Sequence, residues 1–212
     1  LTDGKSESNP DGKGLDYARY RAIEFLKPEY QGKYKNAEHI AQTLAGIYRV
    51  HMVKRLESSF YAFKKSLATL LRITNDMIKM FEEDKVIIAP DLNVKELQSK
   101  GMELDQIIEY AVNKGYSEED IVFKADAFKP NFVEMLYHDK NILEHLNLEW
   151  QKENDDPKFD KFHENLKNNF FDKDINPTGK LVVFSESVDT LNYLYDRLTN
   201  DVKRTDVLMV TS

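Results

Sequence analysis

The longest helical pattern in the chain runs through its middle third. Leu56, Phe60, Phe63, Leu67, Leu70, Thr74, Ile78 and Phe81 recur in steps of three or four. At about 100° per residue they share one stripe, as an amphipathic helix requires. Lys54, Lys65 and Arg72 fall opposite, within about 20° of one another on the same wheel. One face is therefore built for burial and the other carries a row of positive charge, whose simplest reading is a solvated back face. Upstream, Ile40, Leu44, Ile47 and His51 form a second stripe turned roughly 180° from the first. Either the helix breaks, around Tyr48–Met52 or at Ser58-Ser59 where a hydroxyl can cap a new start, or one long helix lies between partners on opposite sides. Asn36 is the expected N-cap of this upstream segment.

The rest of the chain follows by the same patterning. Residues 1–14 are Gly, Ser, Asn, Pro and charge, a disordered or looped lead-in. Asp16–Leu26 predicts a helix that stops before Pro28. After Glu82-Glu83-Asp84, Val86–Ala89 is a short extended piece ended by Pro90. Asn93–Ser99 is a helical turn ended by Gly101, and Leu104–Lys114 a helix stopped by Gly115. Ser117 opens a short helix in capping-box style. Pro130 starts a long helix through Trp150, with Phe132, Met135, Leu136, Ile142, Leu143 and Leu146 as apolar positions. A charged turn over 151–158 precedes a helix from Phe159 to Phe170. The stretch Ile175-Asn176-Pro177-Thr178-Gly179 is the clearest boundary. Beyond it the class changes: an apolar run at Lys180–Phe184, a helix over Ser187–Leu198 and a second apolar run at Val207–Val210 predict strand–helix–strand in a parallel sheet. The expected fold is mainly α-helical, bundle-like, with a short C-terminal α/β (parallel βαβ) piece. The expected domains are a lead-in (1–14), a helical domain (15–176) and the start of an α/β domain (177–212).

Composition narrows this picture. The 212 residues include no cysteine, which excludes disulfides and thiolate metal sites and fits a reducing cytoplasm. The apolar runs are far too short to span a bilayer, and Leu1-Thr2-Asp3-Gly4 is not a signal peptide. With no initial Met and an end directly after an apolar run, the chain reads as a piece of something longer. Thirty basic against thirty-seven acidic residues give a formal charge of −7, which argues against nucleic-acid binding driven by overall charge. Between Ala37 and Arg72, however, six Lys or Arg stand against two Glu.

Two stretches carry a resemblance. Met52-Val53-Lys54-Arg55-Leu56-Glu57-Ser58-Ser59 followed by Tyr61-Ala62-Phe63 resembles the helix between the two RecA-like motors of bacterial superfamily-two helicases, in the branch related to Swi/Snf translocases. Lys180-Leu181-Val182-Val183-Phe184-Ser185-Glu186-Ser187-Val188-Asp189-Thr190-Leu191 resembles helicase motif four, the first strand and helix of the second motor. The two occur in the order that the family uses.

The resemblance implies that the parent is an ATP-dependent helicase or double-strand DNA translocase, using ATP and magnesium. The phosphate-binding loop, the acidic metal motif and the arginine motifs of such a motor are missing here; Gly4-Lys5-Ser6 lacks the upstream glycine and strand of such a loop. The segment is expected to bind no cofactor and to hydrolyse nothing alone, but to link and couple the motors or contact DNA. Its implied partners are DNA, held weakly and with steep salt dependence, and the first motor domain, with no membrane. Ser185 matches the polar end of motif four and Thr190 its helix. Lys54 and Arg55 match the paired bases of the linker helix, to touch phosphate, to ion-pair with the first motor, or to be solvated. Lys65 and Arg72 extend the basic row. Ser58 and Ser59 suit capping or packing. The insertion between Val86 and Asn176 suggests no chemistry.

Other chemistries find little support. Glu134, His138, His145, His163 and Glu164 match neither a zincin nor a di-iron motif. Asp155-Asp156 lies in a polar turn, and no nucleophile triad can be assembled from five histidines. The rival reading is a helical protein-interaction module joined to an unrelated α/β domain. The half-sheet is expected to be poorly ordered, or to lean on the helices.

Overall fold

Helices dominate the architecture because long stretches of the chain carry an apolar stripe at helical spacing and few breakers. A computed structural model describes residues 14–32, 34, 37–89, 92, 94–99, 102 and 104–211. A 3₁₀ helix, Ala18–Phe25, leads to the single turn α1 (Pro28–Gln31) and the long pair α2 (Ala37–Ser58) and α3 (Phe60–Glu82). Then come β1 (Val86–Ile87), α4 (Val94–Ser99), α5 (Leu104–Asn113), α6 (Glu118–Ile121), β2 (Val122–Phe123) and a 3₁₀ turn, Ala125–Ala127. The chain continues through α7 (Asn131–Lys152), α8 (Pro157–Asn168) and α9 (Val188–Asp196), which runs on into a wider-wound turn, Arg197–Asp201. The described residues form two units. One lies within 1–50 and 68–146, the other within 51–67 and 147–212.

The core of the first unit is aromatic. Phe25 and Phe128 stack on Phe132 at ring distances of 5.0 and 5.6 Å, and Phe81 meets Phe128 edge-on at 4.9 Å. Backbone pairing draws the end of the 3₁₀ helix against this cluster: Lys27 N–H donates to Ala127 O, and Lys129 N–H to Phe25 O, both at 2.8 Å. β1 and β2 pair antiparallel, Val86 opposite Phe123, and bring α5 onto the same core through Ile107, Ile108 and Ala111. Gly115 ends α5 at φ +95°, and Tyr116 N–H returns to Ala111 O while Gly115 N–H returns to Val112 O, the Schellman arrangement. Gly115→Ala meets no steric obstacle, so its expected cost of about 1 kcal/mol is conformational; urea unfolding should show it, with Gly115→Asn costing less.

Most of the expected stripe is buried, Phe63, Leu67, Leu70, Thr74, Ile78 and Phe81 all facing inward, while Leu56 and Phe60 at its start are half-buried. The upstream stripe is not. Leu44 and Ile47 are 38% and 57% exposed and His51 is exposed too, whereas Ala45 and Met52 are buried. The inward line is Ala45, Tyr48 and Met52, with Tyr48 stacked on Tyr20 at 3.6 Å. A small residue, a phenol and a Met hide this face from a search for branched apolar positions. The helix breaks at Ser59, one of the two alternatives. Ser59 Oγ accepts from Ala62 N–H at 3.0 Å and caps α3.

Several boundaries shift. The Asp16–Leu26 helix is 3₁₀, and Asp139 of α7 explains why its start is pinned: its carboxylate accepts from Asp16 N–H at 2.6 Å and Ala18 N–H at 2.7 Å. Ser117 forms no side-chain cap. Pro157, not Phe159, opens α8, because Asp156 Oδ1 takes the Phe159 N–H at 2.9 Å. Asn36, Pro90, Asn93 and Gly101 lie outside the described residues, as does the Ile40 side chain. The chain is mainly helical, and its one described sheet is the two-stranded β1–β2 pair. Residues 181–184 and 207–210 make no ladder hydrogen bonds among the described residues, and Phe184 and Leu208 stand 90% and 86% exposed. A strand needs a neighbour for its N–H and C=O groups, and neither run has one here.

Candidate functional site

The second unit brings together three helix starts, those of α3, α8 and α9, and each is capped by a side chain. Ser59 caps α3, Asp156 caps α8, and Ser187 Oγ caps α9 by accepting from Thr190 N–H at 3.2 Å. Short hydroxyl and carboxylate side chains take these positions because they satisfy backbone N–H groups that a helix leaves free.

The caps are also joined to one another. Thr190 Oγ1 lies 2.7 Å from Ser58 Oγ and 2.9 Å from Ser59 Oγ, and Ser59 and Thr190 are buried. Arg55, one turn before the end of α2, reaches across to α9. Its guanidinium donates to Ser187 Oγ, to Asp189 Oδ2 at 2.5 Å, and to Ser66 Oγ on α3 at 3.0 Å. Lys65 Nζ holds the other oxygen of Asp189 at 2.7 Å. The two resembling stretches therefore interlock, across 131 to 134 positions of chain, through Arg55, Ser58 and Ser59 on one side and Ser187, Asp189 and Thr190 on the other.

Electrostatics follow this geometry. Burial pushes the Asp189 carboxyl up, but hydrogen bonds and charge from Lys65 and Arg55 outweigh it and hold the group below the usual carboxylate range. The Lys65 ammonium is raised by the same carboxylate. Stability from Asp189 is thus present at neutral pH and lost as pH falls through its lowered value.

A second layer supports the first. Lys158, in the first turn of α8, donates to the Glu57 and Ser58 carbonyls at the end of α2, where a cation meets the negative end of the helix dipole. Tyr193 of α9 stacks on Tyr61 at 5.2 Å and donates to Asp156 Oδ2 at 2.6 Å. Arg197 lies 4.0 Å from the Phe159 ring centroid and donates to the Tyr193 hydroxyl at 2.9 Å. Tyr193→Phe leaves the Asp156 oxygen without its donor and is expected to cost about 1 kcal/mol, read as a lower thermal midpoint with the α8 cap still in place. Arg55, Ser58, Asp156, Lys158, Thr190 and Tyr193 line a cavity of about 570 Å³, with Lys54, Ser185 and Phe184 also on its wall.

The six expected contact residues separate. Arg55, Lys65 and Thr190 converge on the start of α9. Ser185 lies beside them, its Oγ accepting from Ser187 N–H at 3.1 Å. Lys54 is 60% exposed, with Glu186 at 3.6 Å. Arg72 belongs to the first unit, where it pairs with Asp76 one turn on at 2.8 Å. Asp189 and Lys158 were not singled out by sequence. Asp189 is legible only as an acidic residue in a first helical turn, and nothing along the chain ties it to Arg55. Among the described residues no group of three or more His, Asp or Glu could hold a metal ion, and no helix is long and apolar enough to cross a membrane. Compared with known proteins, the chain matches no family model, and no curated protein or solved structure is significantly similar to it.

Proposed function

We propose that this chain is the helical inter-motor region of an ATP-dependent helicase or DNA translocase together with the opening βαβ of its second RecA-like domain, and that it couples the motors without catalysing hydrolysis itself. The observation that carries this reading is the interlock of the linker-helix stretch with motif four. Each supplies the other's hydrogen-bond partners, as a joint that transmits force needs. On this reading 181–184 and 207–210 are strands of a parallel sheet whose neighbours lie in the rest of the motor. Their exposed apolar side chains and unpaired backbone support it. The outward residues of α2, Leu44 and Ile47, are the face that the first motor domain would cover. Lys54, exposed beside the joint, is the basic residue best placed to meet a DNA phosphate. ATP and magnesium belong to the parent's motor, and the parent acts in the cytoplasm.

The test is ATP hydrolysis by the polypeptide containing both motors, with and without duplex DNA. DNA-stimulated hydrolysis is expected in the wild type and lost in Lys54→Ala/Arg55→Ala. Full stimulation in the variant contradicts the coupling role. A second reading, a helical protein-interaction module, is favoured by the exposed apolar residues of α2; absence of any hydrolysis by the parent would decide for it.

A further inference from the structure

The geometry around Asp189 points to a phosphate-binding cradle held closed from within. Each Asp189 oxygen takes one donor, Oδ1 from Lys65 Nζ at 2.7 Å and Oδ2 from Arg55 Nη2 at 2.5 Å. A phosphodiester presents two non-bridging oxygens to two cationic donors in the same way. The cradle is reached from the Lys65 side, where the side chain is 57% exposed, while Asp189 and Arg55 are 18% and 21% exposed. We propose that Arg55 and Lys65 form a site for a nucleic-acid backbone phosphate and that Asp189 occupies it as an internal competitor, so that duplex binding and the hold on α9 exclude one another. The idea rests on the nucleic-acid reading above. It goes further in making the interlock a switch: a phosphate that takes Arg55 and Lys65 removes both cations from the first turn of α9.

The probe is a fluorescent duplex of ordinary sequence, its binding to the full 212-residue chain followed by anisotropy from low to moderate salt. Asp189→Asn is expected to bind several-fold more tightly than wild type, with a salt slope steeper by about one to two phosphate contacts. Glu164→Gln, which frees Lys161 from an exposed pair at 2.7 Å with the same change in net charge, should gain far less. Adding Lys65→Gln to Asp189→Asn should reverse the gain. Equal affinities of Asp189→Asn and Glu164→Gln, or a gain that survives Lys65→Gln, would overturn the proposal. A measurement on the wild type is independent of how these variants fold. At high duplex concentration and low salt, amide exchange at Thr190 and Leu191 should accelerate; unchanged exchange in the bound state would overturn exclusion. Neither result depends on ATP hydrolysis, so the motor assignment stands or falls separately.

Discussion

Replacing Asp139 with alanine is expected to destabilise the first unit by roughly 2–6 kcal/mol, because two backbone donors, Asp16 N–H and Ala18 N–H, lose the acceptor that they share at a cost of about 1–3 kcal/mol each. Asp139 is 3% exposed, so bulk water does not reach this pairing in the folded chain. Its titration gives the effect a pH signature. Burial pushes the Asp139 carboxyl up to about 6, against the lowering influence of the Ala18 and Asp16 N–H groups; the Asp16 carboxylate raises it further and His138 lowers it. A carboxyl raised on folding binds protons more tightly in the folded state, so stability from this group grows as pH falls from about 6 toward 3.8 and is flat above. The alanine variant lacks that response. Its deficit should therefore be larger at pH 5 than at pH 7, and paired urea titrations at the two values measure it. Asp139→Asn, which keeps one acceptor and does not ionise, should lose less at pH 7, and its deficit should widen toward pH 5 by the same amount as that of the alanine variant. A deficit independent of pH would contradict the assignment.

Arg55→Ala is the second large effect, expected at about 2–3 kcal/mol in the second unit. The change removes donors to Ser187, Asp189 and Ser66 at once, and a partly buried carboxylate that loses one of two cations is left poorly compensated. Amide exchange should localise the loss to the first turn of α9, whose cap Ser187 is itself held by the guanidinium. Arg55→Lys should recover little, since one ammonium cannot bridge three acceptors in a plane. Uniform loosening of the whole chain would show that Arg55 does not act through α9.

The helical framework was legible because its signals are local. Periodicity placed α3 and its buried face, Gly115 stopped α5, and Ser59 offered the cap at which α2 ends. The interlock was half legible. Arg55, Ser58, Ser59 and Thr190 stood out within their own stretches, but the complementarity of Arg55 with Asp189 depends on a fold that joins distant segments. Asp139 gave no signal, since an acidic residue amid the apolar positions of α7 resembles an exposed one until its donors, the Asp16 and Ala18 N–H groups, are placed. The outward turn of Leu44 and Ile47 was illegible for a different reason. An amphipathic stripe says that a face prefers burial, not which partner buries it. The same holds for 181–184 and 207–210, whose apolar character marks strands only when neighbours complete a sheet.

The most direct test of the interlock is a double-mutant cycle on Arg55→Ala and Asp189→Ala, with stability measured by denaturant unfolding. A coupling energy of about 1.5–3 kcal/mol is expected for a close, partly buried charge pair that shares a network. Effects that add to within about 0.5 kcal/mol would mean that the two stretches do not interact energetically, and the proposed joint between linker helix and motif four would fall with them.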